Sequence, residues 1–528
     1  MNTIKLLDCT LRDGGYINNW NFGFNVTKSL INSLVTSNID LIELGFLRDC
    51  TYDRDKTLFN NIAEAKYLIP DHAGNTKFTL MALHDKYTAN SLEDDDGTIF
   101  AIRVTFHDYD CDEGLEYIRR LKDKGYNVFC NPINIMGYSS SEFCSLLDKV
   151  NKIHPYAFSI VDTFGSMRSV DLIRYLSICE SELEKDIVIG CHLHENLSHS
   201  LSLAEEFAVR IQRNCVIDAS LNGMGRVPGN LPIELIADSL NRLKQNGEYI
   251  IEYILEAIDN HILNIKMKTP WGYSPEYFLS ARYNLHRNYA EHYVNKGNIT
   301  YKSMDKLLAQ VEPSKKASFD AEYADRLYFE MFGIEEDSLT DFEQIVKGRK
   351  ILVLAPGSRL ISDKGKVKQY ISDNSPVTFG VNFVSEHFPD VNLFFGNEKR
   401  FAEYTQQIEL HRSNVIITSN IDTNITNTLK VNCINAFFGM VDATNSVLML
   451  LNLLYKAGVT EVSFAGLDGF ENRSINFIDP LFNNRVNLQN TVAIHSDMES
   501  KLLVIAKKMK LHFVTESAYE KALFEVMK

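Results

Sequence analysis

Two histidines spaced one residue apart, in Cys191-His192-Leu193-His194-Glu195-Asn196, are the strongest chemical signal in this chain of 528 residues. The apolar run around them, Ile187 to Leu193, reads as a strand. Side chains alternate along a strand, so His192 and His194 point the same way and can chelate one metal ion. A carboxylate for that ion lies far upstream, in Asp8-Cys9-Thr10-Leu11-Arg12-Asp13-Gly14-Gly15-Tyr16. An Arg-Asp pair beside two glycines puts a cation and an anion on a tight turn. Asp13 can ligate a hard metal, and the Arg12 guanidinium can hold a developing oxyanion with two directed donors. A third cluster, Asn222-Gly223-Met224-Gly225-Arg226-Val227-Pro228-Gly229-Asn230, joins glycines that admit close backbone approach to the amide oxygen of Asn230. One carboxylate and two imidazoles leave half of an octahedral shell open for substrate and water. That donor set suits Mg²⁺, Mn²⁺ or Co²⁺, while zinc, also admissible, prefers fewer ligands.

The elements that must position these clusters follow from periodicity. Eight short apolar runs alternate with polar segments of helical spacing: Ile4 to Cys9, Ile39 to Leu44, Lys77 to Ala82, Ile99 to Thr105, Asn127 to Asn131, Ala157 to Val161, Ile187 to Leu193 and Val216 to Ser220. The stretch Glu142 to Ile153 is one of the intervening helices. Strands alternating with helices imply a parallel sheet, and eight of them imply a closed (β/α)₈ TIM barrel. An open doubly wound sheet is the alternative. In a barrel the active site lies at the C-terminal ends of the strands, where all three clusters fall.

The fold class is therefore α/β, with three expected domains. Residues 1–285 form the barrel, 286–345 a charged helical appendage (Lys302 to Leu308, Phe319 to Phe332), and 346–528 a Rossmann-like α/β domain. Strands of the last are expected at Lys350 to Leu354, Val377 to Val381, Val391 to Phe395, Asn414 to Thr418, Val431 to Asn435, Glu461 to Ala465 and Leu511 to Val514. Helices are expected at Asn445 to Ala457 and Met498 to Lys508.

Composition narrows the class of partner. The chain is 45% hydrophobic and 23% charged, ordinary for a globular enzyme, with a formal net charge of −15. An acidic surface repels nucleic-acid phosphates and anionic lipid, so neither nucleic acid nor membrane is an expected partner. The nine cysteines contain no C-x-x-C pair, which excludes a clustered structural zinc site and a disulfide framework. The start of the chain lacks the basic region and apolar core of a signal peptide, and no apolar stretch approaches the roughly 20 residues of a membrane helix. A reducing cytoplasm is the expected compartment, and the helical segment is expected to pack on the barrel or within a homo-oligomer.

At these motifs residues 1 to 290 resemble the DRE-TIM metallolyases, a superfamily that includes 4-hydroxy-2-oxovalerate aldolase, HMG-CoA lyase and isopropylmalate synthase. DCTLRDGG resembles the D-x-T-L-R-D-G signature, CHLHENLSHS the H-x-H segment, and SLNGMGRVPGNLPIE the glycine-rich segment after the eighth strand. IELGF at 42–46 and VDTFG at 161–165 are similar to the I-E-[VL]-G and D-[ST]-x-G segments of relatives. The aldolase branch is nearest. The resemblance implies that Asp13, His192 and His194 bind a divalent metal, with Asn230 as a further ligand. It implies that Arg12 stabilises the enolate oxygen as a C–C bond breaks, and that Glu43, Asp162, Thr163 and Asn196 line the substrate. The implied reaction is a lyase or aldolase step joining or parting pyruvate, or a similar 2-oxo acid, and an aldehyde through a metal-bound enolate.

One position departs from that pattern. Those aldolases carry a histidine, thought to be the general base, four residues after the signature arginine, where this chain has Tyr16. A phenol of pKa about 10 is a poor base at neutral pH, though it can donate to an alkoxide. The change points away from 4-hydroxy-2-oxovalerate itself as substrate. Tyr273, in WGYSPEY, resembles a tyrosine of the same aldolases and is a second catalytic candidate.

Two other functions are compatible with the sequence. One is a Claisen-type acyl-CoA condensation, as in isopropylmalate synthase. The other rests on the C-terminal part, where LVLAPGSRL and the later run ending in GLDGF resemble sialyltransferase-like and motility-accessory-factor domains. That resemblance implies a glycosyltransferase or nucleotide-sugar-binding module, with the backbone of Gly357 and Ser358 at a helix start holding phosphate.

Overall fold

The computed structural model describes residues 3–244, 248–334, 337–469, 477 and 488–526. The chain divides into two compact units, Met1–Asn288 with Glu312–Phe319, and Tyr289–Val311 with Asp320–Lys528.

Eight strands of the first unit run parallel: β1 Ile4–Asp8, β2 Leu41–Leu47, β3 Lys77–Leu83 and β4 Ala101–Phe106, then β5 Asn127–Pro132, β6 Ala157–Val161, β7 Val188–His192 and β8 Cys215–Ala219. Each pairs with its sequence neighbour, and β1 pairs with both β2 and β8, so the sheet closes. This is the (β/α)₈ barrel that the alternation predicts. β2 runs three residues beyond its expected end, through a register shift between Glu43 and Phe46. There Gly45 has a positive φ, and a Cβ on it would lie 2.0 Å from the carbonyl oxygen of Thr57.

The two-residue period sorts side chains between the barrel's inside and outside. Leu6, Ile42, Ile102, Val128, Phe158, Ile189 and Ile217 share one large cluster with helix residues such as Leu30, Leu121 and Leu176. Leu7, Leu41, Ala101, Phe129, Ala157, Val188 and Val216 point the other way and form a separate apolar cluster. Two residues further along the same faces stand Glu43, Arg103, Asn131, Ser159 and Asp218, all buried. The barrel interior therefore changes from apolar to polar toward the strands' C-terminal ends. Burying each apolar side chain stabilises the fold by roughly 1.5–3 kcal/mol. Burying the charges is tolerable only where they pair.

The second unit holds a seven-stranded parallel sheet: β9 Ile351–Leu354, β10 Val377–Val381, β11 Asn392–Phe395, β12 Val415–Thr418, β13 Leu429–Val431, β14 Glu461–Ala465 and β15 Lys510–Phe513. Its order is β13-β12-β11-β10-β9-β14-β15, with the reversal between β9 and β14 that marks a doubly wound fold. Helices span Tyr301–Leu308, Ala321–Phe332 and Leu339–Val346 before the sheet, and Ser446–Lys456 and Leu488–Ala506 within it. The expected strand from Val431 to Asn435 is corrected. The strand stops at Val431, and Cys433–Phe437 is a short helix. Asn432 caps it, its side chain accepting from the Ile434 amide, while Ser419 Oγ accepts from the Cys433 amide. Among the described residues no helix is long and apolar enough to cross a membrane.

Candidate metal centre

His192 is the last residue of β7, and Leu193 and His194 continue it into the barrel mouth. Their rings lie 4.9 Å apart at 81°. Asp13 comes from the turn after β1, where its backbone amide donates to the Cys9 carbonyl. One ligand atom from each of Asp13, His192 and His194 lies within 4.8 Å of the others. The predicted convergence of segments almost two hundred residues apart is present in the structure.

The histidines are oriented from behind. Nδ1 of His192 pairs with Asp218 Oδ2 at 2.9 Å, and Nδ1 of His194 with the Asp162 carbonyl at 2.8 Å. Each acceptor places the proton on Nδ1 and leaves the Nε2 lone pair for a metal. Burial, with His192 adding to it, draws the His194 pKa down to about 4, so this ring is neutral at physiological pH. Burial opposes the charge on Asp13, but Arg12 and the two histidines hold its carboxyl well below the usual range.

Among the buried oxygens with no hydrogen-bond partner are Asp13 Oδ2 and Asn230 Oδ1. Asn230 lies across a backbone bridge from His194, and its Nδ2 donates to the Met224 carbonyl. A Cβ on Gly225 would come within 2.4 Å of that Nδ2, so the glycine makes room for the amide. Orphaned buried acceptors are costly, and a cation is the partner that satisfies two of them together with two imidazole lone pairs. The residues present fit a divalent metal.

A buried ion-pair network surrounds the cluster. Arg12 Nε donates to Glu43 Oε2 at 2.7 Å and Nη1 to Asp13 Oδ1 at 2.7 Å. Arg103 Nη1 lies 3.1 Å from the same Glu43 oxygen, and its Nη2 pairs with Asp218. Three carboxylates thus face two guanidiniums around the two imidazoles. The excess of carboxylates over guanidiniums favours a cation, and a divalent ion reverses that balance in favour of an anionic substrate.

With this geometry established, comparison with known proteins places the barrel. Residues 107–261 match the HMGL-like family. The match lies within the barrel and covers its later strands. The chain is 22% identical over 252 residues to 4-hydroxy-2-oxovalerate aldolase 6 of Rhodococcus jostii, covering 46% of this chain and 68% of that protein. It is 23% identical over 265 residues to the 4-hydroxy-2-oxovalerate aldolase of Pseudoalteromonas translucida, covering 49% and 76%. Among solved structures, the HMG-CoA lyase of Brucella melitensis aligns at 14% identity and a TM-score of 0.41, covering 51% of this chain and all of that one.

The remaining sequence candidates take varied places in and beyond the barrel. Glu43 pairs with Arg12 and Arg103 through Oε2. The Asp162 carboxylate accepts from the Ser166 and Met167 amides, and burial pushes its pKa up to about 7. Thr163 and Asn196 line a cavity of about 30 Å³ together with His194 and Arg226. Tyr16 packs edge-on against Trp20 and Phe46. Burial of its hydroxyl, with the charge of Asp13, pushes the phenol's pKa above its ordinary value. Tyr273 is 58% exposed, and no described contact joins it to the cluster. In the second unit the Gly357 amide donates to the Gly466 carbonyl, and Ser358 Oγ and the Arg359 amide donate to Asp468. The anion at that turn is the chain's own carboxylate, so these donors are already engaged.

Reasoning from sequence missed Arg103 and Asp218. A signal was present, because each is a lone charge inside an apolar strand, and such a charge must find a partner.

Proposed function

We propose that the barrel is a divalent-metal-dependent carbon–carbon lyase that joins or parts a 2-oxo acid, such as pyruvate, and an aldehyde. The observation that carries this is the grip of Asp13, His192 and His194 on one centre, with Arg12 clamped beside it. Asp13, His192 and His194 would hold the metal, with Asn230 in reach as a fourth ligand. When bound, the ion supplies a Lewis acid that polarises the keto group and serves as electron sink.

The chain's own residues do the rest. Arg12 uses Nε and Nη1 on Glu43 and Asp13, and among the described residues its Nη2 meets no acceptor, so that arm can receive the enolate oxygen. Glu43 and Asp13 hold the guanidinium rigid, which removes reorganisation from the step. Tyr16, with its raised pKa, keeps its proton and acts as donor to the alkoxide oxygen formed on the aldehyde carbon. Neutral His194 needs no deprotonation before it binds the ion. The relatives' names support the reaction type, and Tyr16 in place of their histidine supports a different aldehyde.

The test is exchange of the pyruvate methyl protons with deuterated solvent. Exchange is expected with Mn²⁺ or Mg²⁺ and lost with a chelator, and His192→Ala is expected to slow it at least 100-fold. Metal-independent exchange, or full exchange by the variant, overturns the reading.

A further inference from the structure

We infer that Arg226 is an anion hook at the mouth of the metal centre, and that the aldehyde partner carries a carboxylate or phosphate. This rests on the lyase reading and deepens it. Arg12 and Arg103, beside the metal ligands, are each neutralised by carboxylates. Arg226 differs. Its guanidinium meets no carboxylate among the described residues. One nitrogen, Nη2, lies 3.1 Å from Nε2 of His286, and its carbon stands 5.8 Å over the ring of Tyr16.

Both partners are neutral, and that matters. Burial, followed by the charges of Arg226 and Arg287, depresses His286 to a pKa of about 4, so the ring lies against Arg226 without adding charge. A neutral acceptor and an aromatic face orient a guanidinium while leaving its full positive charge for a ligand. One of its five N–H donors is directed at His286, and the others stay available for a planar two-oxygen group.

The charge stands next to the reaction centre. Arg226 lines the small cavity that also includes His194, Thr163 and Asn196. The loop bearing it is anchored on both sides of the cavity: Arg287 Nη1 donates to the Val227 carbonyl at 2.8 Å, and the Glu195 amide to the Gly229 carbonyl. Arg12 and the metal ligands already serve the 2-oxo acid end. An additional uncompensated cation in a protein of net charge −15 is best accounted for by a second anionic group on the substrate. Arg226 also contacts Tyr16, the proposed donor to the aldehyde oxygen, which puts the anion on the aldehyde side.

Three measurements on the full chain test this. In C–C bond formation with pyruvate, wild type is expected to prefer glyoxylate or glycolaldehyde phosphate over acetaldehyde or glycolaldehyde. Arg226→Gln removes that preference, about 100-fold in kcat/KM, and Arg226→Lys keeps part of it. In calorimetry without metal, 2-phosphoglycolate binds wild type at least about tenfold tighter than Arg226→Gln. In pyruvate proton exchange, Arg226→Gln leaves KM unchanged. Equal phosphoglycolate affinity in the two proteins overturns the proposal. So does a pyruvate KM raised by Arg226→Gln, which would put the 2-oxo acid's own carboxylate on this arginine. The binding arm needs no turnover, so a wild type that binds phosphoglycolate through Arg226 but exchanges no pyruvate protons sinks the lyase reading alone.

Discussion

His192 and Asp218 are register partners on the neighbouring strands β7 and β8, and Nδ1 of the histidine meets the carboxylate at 2.9 Å. The same carboxylate oxygen receives Arg103 from β4. Asp218 therefore orients a proposed metal ligand and neutralises a buried cation at once. Asp218→Asn keeps the shape but loses the charge. Metal affinity is expected to fall about 10–100-fold. The apo protein is expected to lose about 3 kcal/mol or more, because Arg103 keeps only Glu43. Calorimetric metal titration and thermal melts would read the two effects separately.

Metal binding itself is expected to stabilise the fold. An ion that binds only the folded chain adds about 2.7 kcal/mol at 100 times its Kd. Mn²⁺ should raise Tm, a chelator should reverse the rise, and His194→Ala should abolish it. A Tm indifferent to Mn²⁺ would count against the centre.

Arg12 is held by two carboxylates, so it is expected to act in the transition state more than in metal binding. Arg12→Lys loses the forked geometry, and a fall of about 10²–10³ in kcat is expected, with metal affinity changed much less. Equal losses in both would assign Arg12 a purely structural role.

Asp8, buried at the end of β1, accepts from the amide and hydroxyl of Thr10, yet burial outweighs these bonds and raises its pKa to about 7. The unfolded chain releases this proton near pH 4 and the folded chain only near 7. Its contribution to stability is therefore full below about pH 4 and lost as pH rises to about 7, on the order of 4 kcal/mol. Melts of wild type and Asp8→Asn across pH 4 to 8 should show wild type losing stability relative to the variant as pH rises, with the offset flat beyond 7. A difference that does not vary with pH would refute the shift.

Much of the barrel was legible because its cause is local. An apolar run of five or six residues with polar flanks marks a buried parallel strand wherever it occurs, and all eight were found that way. The H-x-H spacing was legible for the same reason, since alternation along a strand dictates that both rings share a side. Local reading failed where a neighbour distant in sequence decided. The Val431 to Asn435 run looks like a strand, but Asn432 and Ser419 cap a helix there. Likewise, spacing gives no sign that Asp468, from another loop, accepts from Ser358 Oγ and the Arg359 amide beside the Gly357–Ser358 turn.

What the sequence by itself determined is the set of elements and the side of each strand on which a residue stands, because backbone geometry sets both. What only the tertiary structure decided is which charges meet. Arg103 and Asp218 are 115 residues apart and pair because closing the barrel leaves a buried guanidinium no water to turn to. Arg226 meets no carboxylate among the described residues of the same fold, and it is the charge proposed to receive the substrate's anion.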